Sequence, residues 1–118
     1  MQGRRPCPRD GMRVTLEEAL SRLPGPTGER YASVIDYGTL TVELYAPRGT
    51  DPQSPHTRDE VYVVMSGSGW FTSGPDRHRF GPGDVMFVPA NVPHRFDDFS
   101  DDLTVWAVFC SPQNEGAR

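Results

Sequence analysis

Short apolar runs, separated by turn-forming segments, recur along the chain from residue 31 onward. In residues 31–35 and 40–45 apolar and polar positions alternate with a period of two, which is typical of strands that bury one face. Six more runs follow, at residues 60–66, 70–73, 77–80, 85–88, 94–96 and 103–110. Because no helical period interrupts the series, the pattern predicts an all-β fold of eight or nine short strands, as a sandwich, jelly roll or small barrel.

A helical pattern is found only ahead of these strands. Thr15 and Glu18 have the spacing of a capping box, and the apolar residues that follow Thr15 lie on one helical face as far as Pro24. We therefore expect one short helix over residues 15–23. Among the turns, residues 36–38 should close a hairpin, and Pro82 followed by glycine favours a type II turn.

Two of the strands are apolar at odd and even positions alike. These are residues 61–65 and 85–88, so both of their faces should be buried. The predicted helix, the first hairpin or a second copy of the chain could cover the outer face. We expect a homodimer formed through that face.

Composition narrows the class of protein. The chain has 118 residues, 36% of them hydrophobic, which suits one domain, expected at residues 13–112 between flexible segments at 1–12 and 113–118. The chain has twelve arginines, no lysine and sixteen acidic residues, so its net charge is −4. Its sequence has no cluster of basic residues of the kind that binds nucleic acid. No apolar run reaches the roughly 20 residues of a membrane span, and residues 1–10 lack an apolar signal core, so we expect a cytoplasmic protein. Cys7 and Cys110 lie too far apart to form a motif and are expected to be free thiols.

Candidate chemistry lies in the polar cluster that precedes the run at 61–65. His56 and Glu60 would be about 13 Å apart on a straight strand, too far to share an ion, but the residues around them favour a tight turn that would bring them together. His94 follows a similar turn-forming segment at the start of another strand. Two imidazoles and a carboxylate would form a three-ligand site suited to Fe(II), Mn(II), Ni(II) or Zn(II). Surface histidines beside a turn-solvating glutamate are the alternative that the residues leave open.

The segments "SPHTRDEVYVVMSG" and "GDVMFVPANVPHRFDD" resemble the two motifs of the cupin superfamily. In the first motif His56, Glu60 and Gly67 occupy the places of the second histidine, the glutamate and the closing glycine, while Gly49 is one residue off the expected spacing. In the second, Gly83, Pro89 and His94 match, Asn91 stands at the glycine position and Asp98 at the asparagine position. The motifs span residues 49–98. The resemblance implies a double-stranded β-helix, or jelly-roll barrel, of the kind found in small single-domain bacterial cupins.

The most important departure from the family pattern is at a ligand position. Ser54 stands where the first histidine of His-x-His is expected, so the usual set of three histidines and one glutamate is reduced to His56, Glu60 and His94. Three ligands suffice for a catalytic type of site, but the loss of one nitrogen donor should weaken metal affinity. Ser54 and Gln53 are weak or variable substitutes.

If Glu60 points into the barrel, strand alternation sends Tyr62 and Val64 the same way, and Phe96 follows from His94. The last strand offers either Trp106 or its neighbours Val105 and Ala107. The predicted pocket comprises Ser54, Tyr62, Val64, Phe96 and Trp106, with plain core as the alternative for the apolar members.

The resemblance implies a divalent-metal-binding cupin that holds a small organic molecule in its barrel. It suggests an enzyme of the dioxygenase or isomerase class, with Glu60 as ligand first and as catalytic base only if it leaves the ion. A non-catalytic binding or sensing module, with weak or no metal, is the alternative that Ser54 favours, and a purely structural dimerising barrel is a third.

Overall fold

The structure is a computed structural model and describes residues 11–110. In chain order its elements are α1 (Leu16–Leu20), β1 (Tyr31–Tyr37), β2 (Leu40–Tyr45), β3 (Asp59–Ser66), β4 (Gly69–Ser73), β5 (Asp76–Phe80), β6 (Val85–Val88), β7 (His94–Asp97) and β8 (Thr104–Cys110). The predicted all-β class with one short helix is confirmed. The expected flexible ends fall outside the described residues, apart from residues 11 and 12, and so does Cys7.

Helix α1 begins as the capping box predicts but is shorter than expected. The Thr15 hydroxyl accepts a hydrogen bond from the N–H of Glu18 at 3.0 Å, and the Glu18 carboxylate accepts one from the N–H of Thr15 at 2.8 Å. The helix ends at Leu20, and Leu23 is not helical. A residue that precedes proline is driven out of the helical region, which accounts for the non-helical Leu23. Within residues 11–110 no helix is long and apolar enough to cross a membrane.

The strands form two antiparallel sheets. One has five strands in the order β1-β2-β8-β3-β6, and the other has three in the order β5-β4-β7. The β1–β2 turn lies at Gly38 and Thr39, not at residues 36–38, because Asp36 and Tyr37 still pair with β2. The type II turn is present: Gly83 has φ 89°, and the N–H of Asp84 donates to the carbonyl of Gly81 at 3.1 Å.

Strand register determines which side chains face the space between the sheets. Glu60 lies opposite Phe109 on one side and Val88 on the other, and Tyr62 lies opposite Ala107. Residues paired in this way point to the same face. That face carries the buried core, which comprises Tyr62, Val64, Phe71, Phe80, Val88, Phe96, Leu103, Val105, Ala107 and Phe109.

The outer face of the larger sheet is covered only in part. Helix α1 lies against β2, and Ala19 and Leu44 are fully buried. On β6, an edge strand, Val85 is 64% exposed and Phe87 is 60% exposed. Within one chain, the prediction that both faces of residues 85–88 are buried is therefore wrong, because the helix covers the opposite end of the sheet.

Candidate metal centre

Three predicted ligands converge at one end of the space between the sheets. Glu60 is the second residue of β3, His94 is the first residue of β7 in the other sheet, and His56 lies in the loop before β3. Nε2 of His94 is 3.3 Å from Oε1 of Glu60, and Nε2 of His56 is 3.7 Å from the same oxygen. The ligand atoms of all three residues lie within 4.8 Å of one another.

The loops that carry the two histidines are held together by hydrogen bonds. The N–H of Asn91 donates to the carbonyl of His56 at 2.6 Å, and the N–H of Ala90 donates to the Asp59 carboxylate at 2.9 Å. Asn91 has φ 69°, a left-handed conformation that asparagine tolerates better than most residues. This explains why asparagine can replace the glycine of the second motif.

The orientation of the His94 ring is fixed by its other nitrogen. Nδ1 lies 2.8 Å from the carbonyl oxygen of Val92, which can only accept, so Nδ1 carries a proton. In the neutral ring Nε2 is then left with a free lone pair, directed at Glu60. Metal-binding histidines commonly have this arrangement, in which the outer nitrogen donates to a carbonyl.

The Glu60 carboxylate and the Nε2 atom of His94 are buried without a hydrogen-bond partner, although they lie 3.3 Å from each other. Both side chains are 1% exposed, and neither carboxylate oxygen nor Nε2 makes a hydrogen bond with any residue of 11–110. An unpaired buried polar group costs about 1–3 kcal/mol, and more when it is charged. Ligands 2.0–2.2 Å from one ion lie about 2.8–3.6 Å apart, close to the 3.3 and 3.7 Å that separate the two histidine nitrogens from Oε1 of Glu60. The three side chains therefore fit a divalent ion.

Burial and the charge of Glu60 act on both histidines, and the pKa of His56 is lowered whereas the pKa of His94 is raised. Desolvation lowers the pKa of His56, opposed by Glu60 and reinforced by His94. Desolvation also disfavours a charge on His94, but Glu60 and the Val92 carbonyl outweigh it and raise the pKa of His94. His56 is thus available as a neutral ligand, whereas His94 loses its proton less readily.

A cavity of about 800 Å³ is lined by two of the three ligands, His56 and Glu60, whereas His94 does not line it. Its polar lining includes Arg30, Glu43, Arg48, Gln53, Ser54, Arg58 and Tyr62. Glu43 faces inward from β2, and the pKa of its carboxyl is raised by desolvation and by Glu60, with Arg58 acting against them. The cavity therefore offers both arginines and a second carboxyl to a bound molecule.

The predicted pocket residues do not all reach this cavity. Tyr62 lines it, and Ser54 lies at its rim with an exposed side chain. Val64 and Phe96 belong to the buried core instead. The prediction that Trp106 lines the pocket is wrong. Trp106 lies between the inward-facing Val105 and Ala107 and so points to the outer face of the sheet. Ala107 lines the cavity in its place.

Sequence reasoning gave too little weight to Gln53 and missed Asp51. The Gln53 carbonyl oxygen accepts a hydrogen bond from the Tyr62 hydroxyl at 2.9 Å and lies 3.2 Å from Nε2 of His56. Asp51 is buried and bonds to the Gln53 amide nitrogen at 2.7 Å. The sequence signal for these two residues was a carboxylate, Asp51, followed two residues later by an amide, Gln53, in the segment that precedes His56.

Comparison with known proteins agrees with this geometry. Residues 41–109 match the Cupin domain family. The chain belongs to the cupin family. As a cupin it is 40% identical to an uncharacterised protein of Streptomyces coelicolor over 86 residues, or 71% of this chain and 82% of that protein.

Two other proteins are similar to this chain. Acireductone dioxygenase of Gluconacetobacter diazotrophicus is 32% identical over 106 residues, and the match covers 85% of this cupin but only 59% of the dioxygenase. Among solved structures, an RmlC-like cupin from Methanocaldococcus jannaschii, with a double-stranded β-helix fold, superimposes with a TM-score of 0.60 at 18% identity. That match covers 70% of this chain and 79% of the other. It supports the predicted fold, in which the described strands form two facing sheets.

Proposed function

We propose that this cupin binds a divalent transition metal through His56, Glu60 and His94 and presents it to a small organic molecule held in the adjoining cavity. The observation that carries the proposal is the buried carboxylate of Glu60, which has no hydrogen-bond partner among residues 11–110 and lies 3.3 Å from Nε2 of His94, a buried nitrogen that likewise has none. Charged groups are seldom buried unless they are paired or bind a metal. A bound ion would coordinate substrate oxygens and polarise a carbonyl, or activate water or dioxygen.

The reaction class that we favour is dioxygenation. Its support is the similarity to acireductone dioxygenase, whose match extends over 85% of this chain. Glu60 acts as a ligand in this proposal, and the hydroxyl of Tyr62 and the carboxyl of Glu43 are the nearby groups able to hold or move a proton. Arg30, Arg48 and Arg58 at the cavity wall favour a substrate with an anionic or oxygen-rich group.

A non-catalytic binding module is the second candidate. It is favoured by Ser54, which occupies the position of a family ligand and has an exposed side chain. Weaker metal binding would suit a module that captures a molecule without converting it.

The test is metal analysis of the full chain purified without a histidine tag. After incubation with Fe(II), Mn(II), Ni(II) or Zn(II), the protein should retain about one ion per chain, and His56→Ala and His94→Ala should retain far less. The exposed His78 provides the matched control, since His78→Ala should bind as the unchanged protein does. Retention below about 0.1 ion per chain with every metal would refute the proposal.

The reaction class is tested on the loaded protein with an oxygen electrode. Diketones, catechols, thiols and keto sugars would be screened for oxygen uptake. Uptake that depends on metal and on His94 supports a dioxygenase. Conversion of a keto sugar without oxygen uptake would indicate an isomerase in place of a dioxygenase. Saturable binding without turnover would support the non-catalytic binding module.

A further inference from the structure

The segment that lacks the expected histidine contains a residue that reaches the site, Gln53. Ser54, the residue that aligns with it, has an exposed side chain. The preceding residue, Gln53, instead directs its carbonyl oxygen toward the site, 3.2 Å from Nε2 of His56 and 2.9 Å from the Tyr62 hydroxyl. A neutral oxygen donor therefore lies beside one of the ligand atoms, Nε2 of His56.

Asp51 fixes which end of the Gln53 amide faces the site. The amide nitrogen donates to Oδ2 of Asp51 at 2.7 Å, and the same oxygen accepts the N–H of Phe96 at 2.8 Å. The other oxygen of Asp51 accepts from the hydroxyl of Tyr45. A carboxylate accepts hydrogen bonds and cannot donate them, so a flipped amide would set two acceptors against each other. The carbonyl oxygen of Gln53 is thereby held toward His56 and Tyr62.

The lone pairs of that oxygen leave room for one more bond. A carbonyl oxygen has two lone pairs, and the Tyr62 hydroxyl uses one of them. The other meets Nε2 of His56. When Nε2 is itself a metal ligand it carries no proton, so its hydrogen bond to Gln53 is lost and the second lone pair becomes available to the same ion.

We propose that the Gln53 carbonyl oxygen is the fourth protein donor to the metal, and that Asp51 is the positioning residue that aims it. This inference rests on the proposed metal site and adds to it a ligand that the family pattern assigns to a histidine. The donor set is then two imidazoles, one carboxylate and one amide oxygen. Oxygen donors suit harder ions than imidazole does, so the exchange shifts preference toward Mn(II) and Fe(II).

The affinity test uses Co(II), whose visible absorption reports its ligands. In the full apo chain, Gln53→Ala should weaken Co(II) binding by about tenfold or more and change the absorption spectrum, and Asp51→Asn should act in the same direction. The exposed His78 lies outside the site, so His78→Ala is the control and should leave affinity and spectrum unchanged. Thermal unfolding of each apo variant shows whether it has folded.

A second experiment separates a ligand from a residue that only supports His56. In the Cu(II) form, pulsed EPR counts the coordinated imidazoles, and the unchanged protein should show two. Gln53→His should show three, whereas Ser54→His should still show two, because Ser54 is exposed and Gln53 is the residue that reaches Nε2 of His56. These two results together support the proposal.

Three results would overturn it. One is a Gln53→Ala variant that binds Co(II) with unchanged affinity and spectrum. Another is a third imidazole that appears in Ser54→His and not in Gln53→His, which would restore the register of the motif. In both cases the metal site itself survives, whereas an unchanged chain that binds no metal at all overturns the fourth ligand and the proposed function together.

Discussion

Replacing Glu60 by leucine should stabilise the metal-free protein while it abolishes metal binding. The carboxylate is 1% exposed, and neither of its oxygens has a hydrogen-bond partner among residues 11–110. Removing an unsatisfied buried group recovers about 1–3 kcal/mol of unfolding free energy. In a domain of this size each kcal/mol raises Tm by about 4–8 °C.

The assay is urea or thermal unfolding at pH 8, first with a chelator and then with excess metal. In chelator Glu60→Leu should be the more stable protein. A ligand at 1,000 times its Kd adds about 4 kcal/mol to the protein that binds it, so with metal the order of the two proteins should reverse. His78→Ala should follow the unchanged protein in both conditions.

One result would refute this reasoning. If Glu60→Leu is less stable than the unchanged protein in chelator by about 1 kcal/mol or more, the carboxylate takes part in holding the metal-free fold together. The burial of the Glu60 carboxylate would then give no support for a bound ion.

Three further predictions concern the rest of the molecule. The homodimer prediction rests on the exposed apolar outer face of β6, so Phe87→Glu should sediment as a monomer at micromolar concentrations where the unchanged protein is a dimer; a monomeric unchanged protein would refute it. Gly67→Ala should destabilise more than Gly49→Ala in urea: both need positive φ, which costs about 1–2 kcal/mol, but a Cβ at Gly67 would also lie 2.6 Å from a backbone atom. Equal losses of unfolding free energy in the two variants would show that the backbone around Gly67 shifts to make room for the Cβ. Burial and the charge of Glu60 raise the pKa of Glu43, so its stabilising contribution is present at acidic pH and is lost as pH rises through that pKa. The Tm advantage of Glu43→Gln should therefore grow from about pH 4 to pH 7, and a constant difference would contradict the shift.

The features that could be predicted from sequence are those that neighbouring residues determine. The capping box at Thr15 and the type II turn at Gly83 depend on four consecutive residues, and both form as expected. The grouping of His56, Glu60 and His94 was expected from turn-forming residues and motif spacing, and the structure brings them together.

Which face of a strand is buried depends on the elements that pack against the sheet. The pattern of apolar residues within one strand does not identify those elements. The apolar residues of β6 predict burial, but the helix that could have covered them packs at the other end of the sheet. In β8 apolar residues occupy both faces, so the pattern could not decide whether Trp106 or Ala107 points inward. The pairing of Ala107 with Tyr62 decides it.

The identity of a fourth donor illustrates the same limit within the site. Motif spacing counts residues as though the segment before His56 were a regular strand, and on that count Ser54 should face the ion. Residues 51–56 are irregular in the structure, with prolines at 52 and 55, so alternation does not apply to them. The direction of Gln53 is set by Asp51, whose own carboxylate is held by the backbone of β7. Since β7 begins with His94, one strand positions both an expected ligand and the group that aims the unexpected one.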